Sequence, residues 1–200
     1  MTAPWQPLLD WWFGPPATAL EVASVRQGLW FGKRAEQDRE ARERFGALLE
    51  QALKGGLEDW AHSPPGWLAL ILLLDQLPRM VLRDSGRAYA GDLRAQALVE
   101  RGLAQGWDRQ VPAIARVFVY LVFEHAEDLA LQVRAVQLFR DLRAEAPAAE
   151  QSLFDGYLDY AERHRQVIAR FGRFPHRNAL LDRRSTAEEL GFLQEPGSGF

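Results

Sequence analysis

Nine residues near the C-terminus, Arg170-Phe171-Gly172-Arg173-Phe174-Pro175-His176-Arg177-Asn178, crowd four ionisable side chains and an amide among two aromatics, a glycine and a proline. No helical or strand period accounts for that density. Like charges this close must be solvated, paired with carboxylates or neutralised by an anion. Guanidinium forks match phosphate or carboxylate in pairs, and His176 adds a hydrogen-bond donor or an acid–base group. Arg183 joins the set, and Gly172 and Pro175 would fix the turn on which these side chains converge. The plainer reading is a loop after a helix, its arginines capping carbonyls and pairing with Asp75, Asp92 or Glu124.

Two further sets carry polar chemistry. Asp75, Gln76 and Arg79 end the most apolar stretch of the chain, where a polar cluster either caps a helix or lines a cleft. Glu124, His125, Glu127 and Asp128 form the other set. His125 and Asp128, three apart, are weak candidates for a metal on one helical face, but no second helix supplies a Glu-x-x-His partner. A buried, hydrogen-bonded His125 is the simpler expectation, and no metal or other cofactor is called for. His62 has no partner pattern, and His164 reads as a surface residue. No serine-elbow, phosphate-loop, dinucleotide or His-Glu-x-x-His motif occurs.

The elements that position these residues follow from composition and period. Two hundred residues with 48% apolar and 26% charged side chains make one ordinary globular domain, expected over residues 1–195 with a frayed tail at 196–200. The net charge of −3 argues against general nucleic-acid binding. All but two of the 24 basic residues are arginine, the exceptions being Lys33 and Lys54. The chain has no cysteine, so thiol chemistry and disulfides are excluded. The apolar run Trp67 to Leu74 is far shorter than the ~20 residues that span a bilayer. The N-terminus lacks a secretory pattern, so a cytoplasmic protein is expected.

Helices are expected from Trp5 to Phe13, from Glu21 to Trp30, and from Glu36 to Leu53, the last with Phe45, Leu48, Leu49 and Ala52 on one face. Gly66 to Leu74 reads as a buried helix stopped near Pro78. A helix leading to Gly102 has Leu93, Ala97, Leu98 and Leu103 as core candidates. Pro112 opens another, carrying Ile114, Val117, Phe118, Leu121 and Val122, and a break at Ala126 to Asp128 makes an antiparallel pair. Pro147 opens the last long helix, whose stripe is Phe154, Tyr157, Leu158 and Ala161. Ser185 with Glu188 reads as the capping box of a short final helix. The sum is an all-α fold of eight to ten helices packed largely as antiparallel neighbours.

Three stretches together are similar to a known family. They are Leu70-Ile71-Leu72-Leu73-Leu74-Asp75-Gln76-Leu77-Pro78-Arg79, then Tyr120 through Asp128, and Arg170 through Asn178 followed by Arg184-Ser185-Thr186. With Trp12-Phe13-Gly14 and Trp30-Phe31, they resemble the bacterial family known as domain of unknown function 924 over nearly the whole chain. The resemblance implies an all-α superhelix of tetratricopeptide type and gives motif positions without chemistry.

Three readings of function stand. In the first, a binding or adaptor module has a pocket lined by Asp75, Gln76, Arg79, Arg170, Arg173, His176, Arg177 and Asn178, taking a small anionic molecule or an acidic peptide end. In the second, a hydrolase or lyase uses His176 as acid–base, oriented by Asp75 or Glu124, which requires hydrogen-bond reach in a concave site. In the third, the C-terminal motif clamps the last helix to the core. Nothing in the sequence speaks against a homo-oligomer.

Overall fold

The computed structural model describes residues 2–199, and within them nine α-helices and five short 3-10 turns form one all-α unit with no strand. The centre is α4, Pro64–Val81, in which only a few residues of the first and last turns meet solvent. Around it pack α1 (Gln6–Phe13), α3 (Ala35–Leu53), α5 (Asp92–Ala104) and α6 (Ala113–Glu124). The chain then folds back on itself as α6, α7 (Leu129–Glu145) and α8 (Gln151–Phe171), consecutive helices whose short connections make them antiparallel neighbours. This order of neighbours suits the superhelix that the family resemblance implies. α2 (Ala19–Trp30) lies against α1 and α6, and α9 (Ala187–Phe192) ends the helical order.

The N-terminal aromatics are core. Phe118 of α6 receives Trp30, Trp12 and Phe13 at ring separations of 4.9, 5.3 and 5.5 Å, all edge-on. Such edge-to-face pairs each add about 0.5–1.5 kcal/mol beyond the area they bury. A second, smaller apolar cluster, Val167, Ile168 and Phe174 with Phe171 and Phe192, forms apart from the main core where α8, the C-terminal motif and α9 meet. Among the described residues no helix is long and apolar enough to cross a membrane.

Four sequence expectations shift. The helix expected to stop near Pro78 runs on to Val81. Proline removes one donor, which would have bonded the Leu74 carbonyl, while Leu82 N closes the next turn on Pro78 O at 2.8 Å. The backbone of Gly91 closes in on the released carbonyl: a Cβ there would stand 2.2 Å from Leu74 O. Leu93 and Ala97, expected in the core, are exposed, because the buried face of α5 is set by Ala95, Leu98, Val99 and Gly102. The last long helix starts at Gln151 after a turn that follows Pro147. The capping box of α9 sits one residue later than expected, on Thr186 and Glu189. In the expected tail, Ser198 Oγ donates to Leu193 O at 3.2 Å, and Phe200 lies outside the described residues.

Candidate functional site

Where α4 ends, its polar residues turn toward α5 and α6 and form a network largely shut off from water. Asp75 is fully buried. Its carboxylate accepts from His125 Nδ1 at 2.8 and 3.0 Å and from Gln76 Nε2 at 2.6 Å, and Arg79 Nη1 stands 3.1 Å away. Arg79 also donates to the Asp75 carbonyl at 2.7 Å and forks onto both oxygens of Asp92 at 3.0 Å. Asp92 is the first residue of α5, and the close approach at Gly91 brings it there.

His125 caps the C-terminus of α6, and the loop behind it is pinned by Gln132, whose Nε2 donates to Glu124 O at 2.6 Å and Ala126 O at 2.8 Å. Glu124 points inward at 1% exposure, its Oε1 3.0 Å from His164 Nδ1. His164 is 3% exposed and also bonds the Tyr160 carbonyl at 2.9 Å. The rings of His125 and His164 are 6.3 Å apart.

The C-terminal motif divides into two faces. Gly172, left-handed at φ 68°, ends α8 and turns the chain back. On one face Phe174, His176 and Arg177 approach the network. Arg177 lies between Tyr89 and Phe174, its guanidinium carbon 4.6 and 4.4 Å from the two ring centres. Asp92 Oδ2 stands 3.7 Å from its Nη1. His176 is part-exposed, with its ring 5.6 Å from that of Phe174.

The other face is a clamp. Arg173 forks onto Glu189 at 2.6 and 2.8 Å, and Arg170 reaches Glu188 at 2.8 Å. Asn178 donates to Ser185 Oγ at 3.0 Å and accepts from Arg183 Nε at 3.0 Å. Glu127 holds the motif from the α6–α7 connection, accepting Phe174 N at 2.8 Å and Arg183 Nη2 at 2.8 Å.

The network splits its titrations. Burial opposes the charge on Asp75, but Arg79, His125 and Gln76 together hold it well below the usual carboxylate range. Glu124 has no such cation; burial and the nearby Asp75 charge push it well above the usual range, toward its protonated form. Burial, aided by neighbouring cations, lowers all three histidines: His125 in direction, His164 to about 3 and His176 to about 4. Arg177 is drawn down to about 10 by burial and then by Arg79.

Asp75, Gln76, Arg79, Glu124, His176 and Arg177 are therefore brought to one region, while Arg170, Arg173 and Asn178 face the clamp. Asp128 caps α7, accepting Ala130 N and Leu131 N at 2.8 and 3.0 Å, and is thereby separated in role from His125. Among the described residues no group of three or more histidine, aspartate and glutamate side chains is set to hold a metal. His164, read from sequence as a surface residue, is buried. The signal was present: 154, 157, 161, 164 and 168 continue a single helical stripe. Tyr89 carried no signal, since it sits in a short 3-10 turn at Gly86–Tyr89.

These features define a helical single-unit protein with a buried acid–base network at one end of its central helix, closed by an arginine-rich C-terminal motif. The chain belongs to the family described as bacterial protein of unknown function (DUF924), which matches residues 8–197. The solved structure of a protein of unknown function, ATU0120 from Agrobacterium tumefaciens, is similar at 37% identity and a TM-score of 0.73. That match covers 88% of this chain and 96% of the other. No match was found among curated proteins.

Proposed function

We propose that this protein binds a small oxyanion, a carboxylate or phosphate, at the guanidinium of Arg177. The observation that carries the reading is the state of that guanidinium. Arg177 is 5% exposed, its buried Nε has no hydrogen-bond partner among the described residues, and Asp92 is already engaged by the fork of Arg79. A buried cation with so little compensation is destabilised, which is what its lowered pKa expresses. An oxyanion supplies the missing charge and accepts the free N–H, and the Tyr89 and Phe174 rings hold the guanidinium plane in place for it. The neighbouring Arg79, Asp92 and His125 side chains are only partly exposed, which favours a small anion over a peptide end.

The test is calorimetry and thermal unfolding with inorganic phosphate, acetate and succinate. A ligand at about 100 times its Kd adds about 2.7 kcal/mol, several degrees in Tm for a chain of this size. Arg177→Gln should abolish the shift, and Arg177→Lys, which keeps charge without the planar fork, should weaken it. A wild type that none of the three anions stabilises would remove this reading. Stabilisation that survives in Arg177→Gln would move the site elsewhere.

A further inference from the structure

We infer that Asp75 and His125 form a general-base dyad that hydrolyses a short, carboxylate-bearing ester held at Arg177, an inference that rests on the anion reading of that arginine. The argument starts from Asp75. Its carboxylate is fixed from three sides by His125, Gln76 and Arg79, so it has one orientation. A carboxylate accepts only, so the proton of the imidazole lies on Nδ1 and the lone pair is presented at Nε2. Asp75 has essentially no exposed side-chain surface, whereas that of His125 is 15% exposed. The part of the dyad that meets solvent is therefore the imidazole. Burial, with Arg79 and Arg177 and against the pull of Asp75, lowers the ring's pKa and so favours the neutral form with a bare Nε2.

The nucleophile is water. The chain has no cysteine, and the side chains grouped around the dyad, Gln76, Arg79, Asp92, Glu124, His164 and Arg177, include no serine or threonine hydroxyl. In the step, an O–H bond of water breaks and its proton goes to His125 Nε2. The water oxygen bonds to the ester carbonyl carbon, the bond from that carbon to the leaving oxygen breaks, and His125 returns the proton to the leaving oxygen. Ester and water give acid and alcohol, with the base regenerated. His125 is then the catalytic residue, and Asp75 is a positioning residue that acts through its tautomer.

Mono-p-nitrophenyl succinate supplies a charged ester with a visible leaving group. Wild type should hydrolyse it, and His125→Asn, whose amide can still donate to Asp75 but has no Nε2, should lose about 10²–10⁴-fold in kcat with little change in KM. Asp75→Asn should lower kcat and displace the acidic limb of the pH–rate profile, a change that a merely structural role would not produce. Arg177→Gln should raise KM for this ester. Equal turnover by wild type and His125→Asn, with succinate binding intact by calorimetry, overturns the dyad and leaves the anion site standing. Turnover that depends on His125 in a protein that does not bind succinate overturns the anion site instead. Folding of each variant is checked by its circular dichroism and Tm.

Discussion

At the scale of single residues, the network rests on two carboxyl groups held in opposite states. Cations and donors around Asp75 favour its ionised form, and burial with the Asp75 charge favours the neutral form of Glu124, with no cation to oppose them. His164, with Nδ1 3.0 Å from Glu124, is nonetheless lowered to about 3, first by burial and then by nearby cationic groups. A stability prediction follows from the signs. His164 and His176 titrate at about 3 and about 4 in the folded chain, below the ordinary histidine value of 6.5. Between these limits the unfolded chain binds more protons, so their contribution to stability is present above pH 6.5 and is lost as pH falls, at about 1.4 kcal/mol per pH unit for each proton. Glu124 acts the other way. Its folded pKa is raised, so its contribution is full below 4.5 and declines as pH rises through the folded value. Urea unfolding between pH 4.5 and 6.5 should therefore show stability falling on acidification. Glu124→Gln, which removes the opposing group, should steepen that fall by about one proton. An unchanged slope in the variant would mean that Glu124 is ionised in the folded chain.

At the scale of elements, Pro78 and Gly91 act as a pair. The proline leaves the Leu74 carbonyl without its helical donor, and the glycine lets the start of α5 come up against that carbonyl, which delivers Asp92 to Arg79. Gly91→Ala would place a methyl group 2.2 Å from a backbone oxygen. The expected loss is about 1–3 kcal/mol in urea unfolding. Gly156→Ala in α8, where a Cβ meets nothing within 4 Å, should instead be neutral or stabilise by up to about 1 kcal/mol. Equal effects at both positions would show that the contact at Leu74 is not what matters. The same pair shows what could be read from the sequence. The apolar period located the helices, and the break at Ala126 to Asp128 gave the α6–α7 pair. The continuation past Pro78 was hidden because local preference argues for a stop there, and burial of the whole helix overrides it. The burial of His164 is legible in its stripe, against the surface preference of its residue type. The pairing of Asp75 with His125 and of Arg79 with Asp92 was not legible, because no local pattern records which of many charged residues meet across fifty or thirteen positions.

At the scale of the whole molecule, the C-terminal motif carries two roles on one segment, and they are mechanically linked. Phe174 belongs to the small apolar cluster that α8 and α9 share, apart from the main core, and Arg177 stacks on Phe174. The inward position of Arg177 thus depends on a unit held by Arg173–Glu189, Arg170–Glu188 and the Glu127 contacts. Glu189 is buried and is held down to about 2, first by its hydrogen bonds with Arg173. Arg173→Ala strands that carboxylate, so the loss should appear first as local opening of the segment 173–192. Hydrogen exchange read by mass spectrometry should show protection falling there and holding in α4 and α6. Because Arg177 travels with the segment, affinity for a small oxyanion should fall although Arg173 itself faces away from the site. Exchange that rises equally across α4 and α6 would show that the C-terminal unit does not open by itself. Unchanged affinity beside a locally opened segment would separate the clamp from the site.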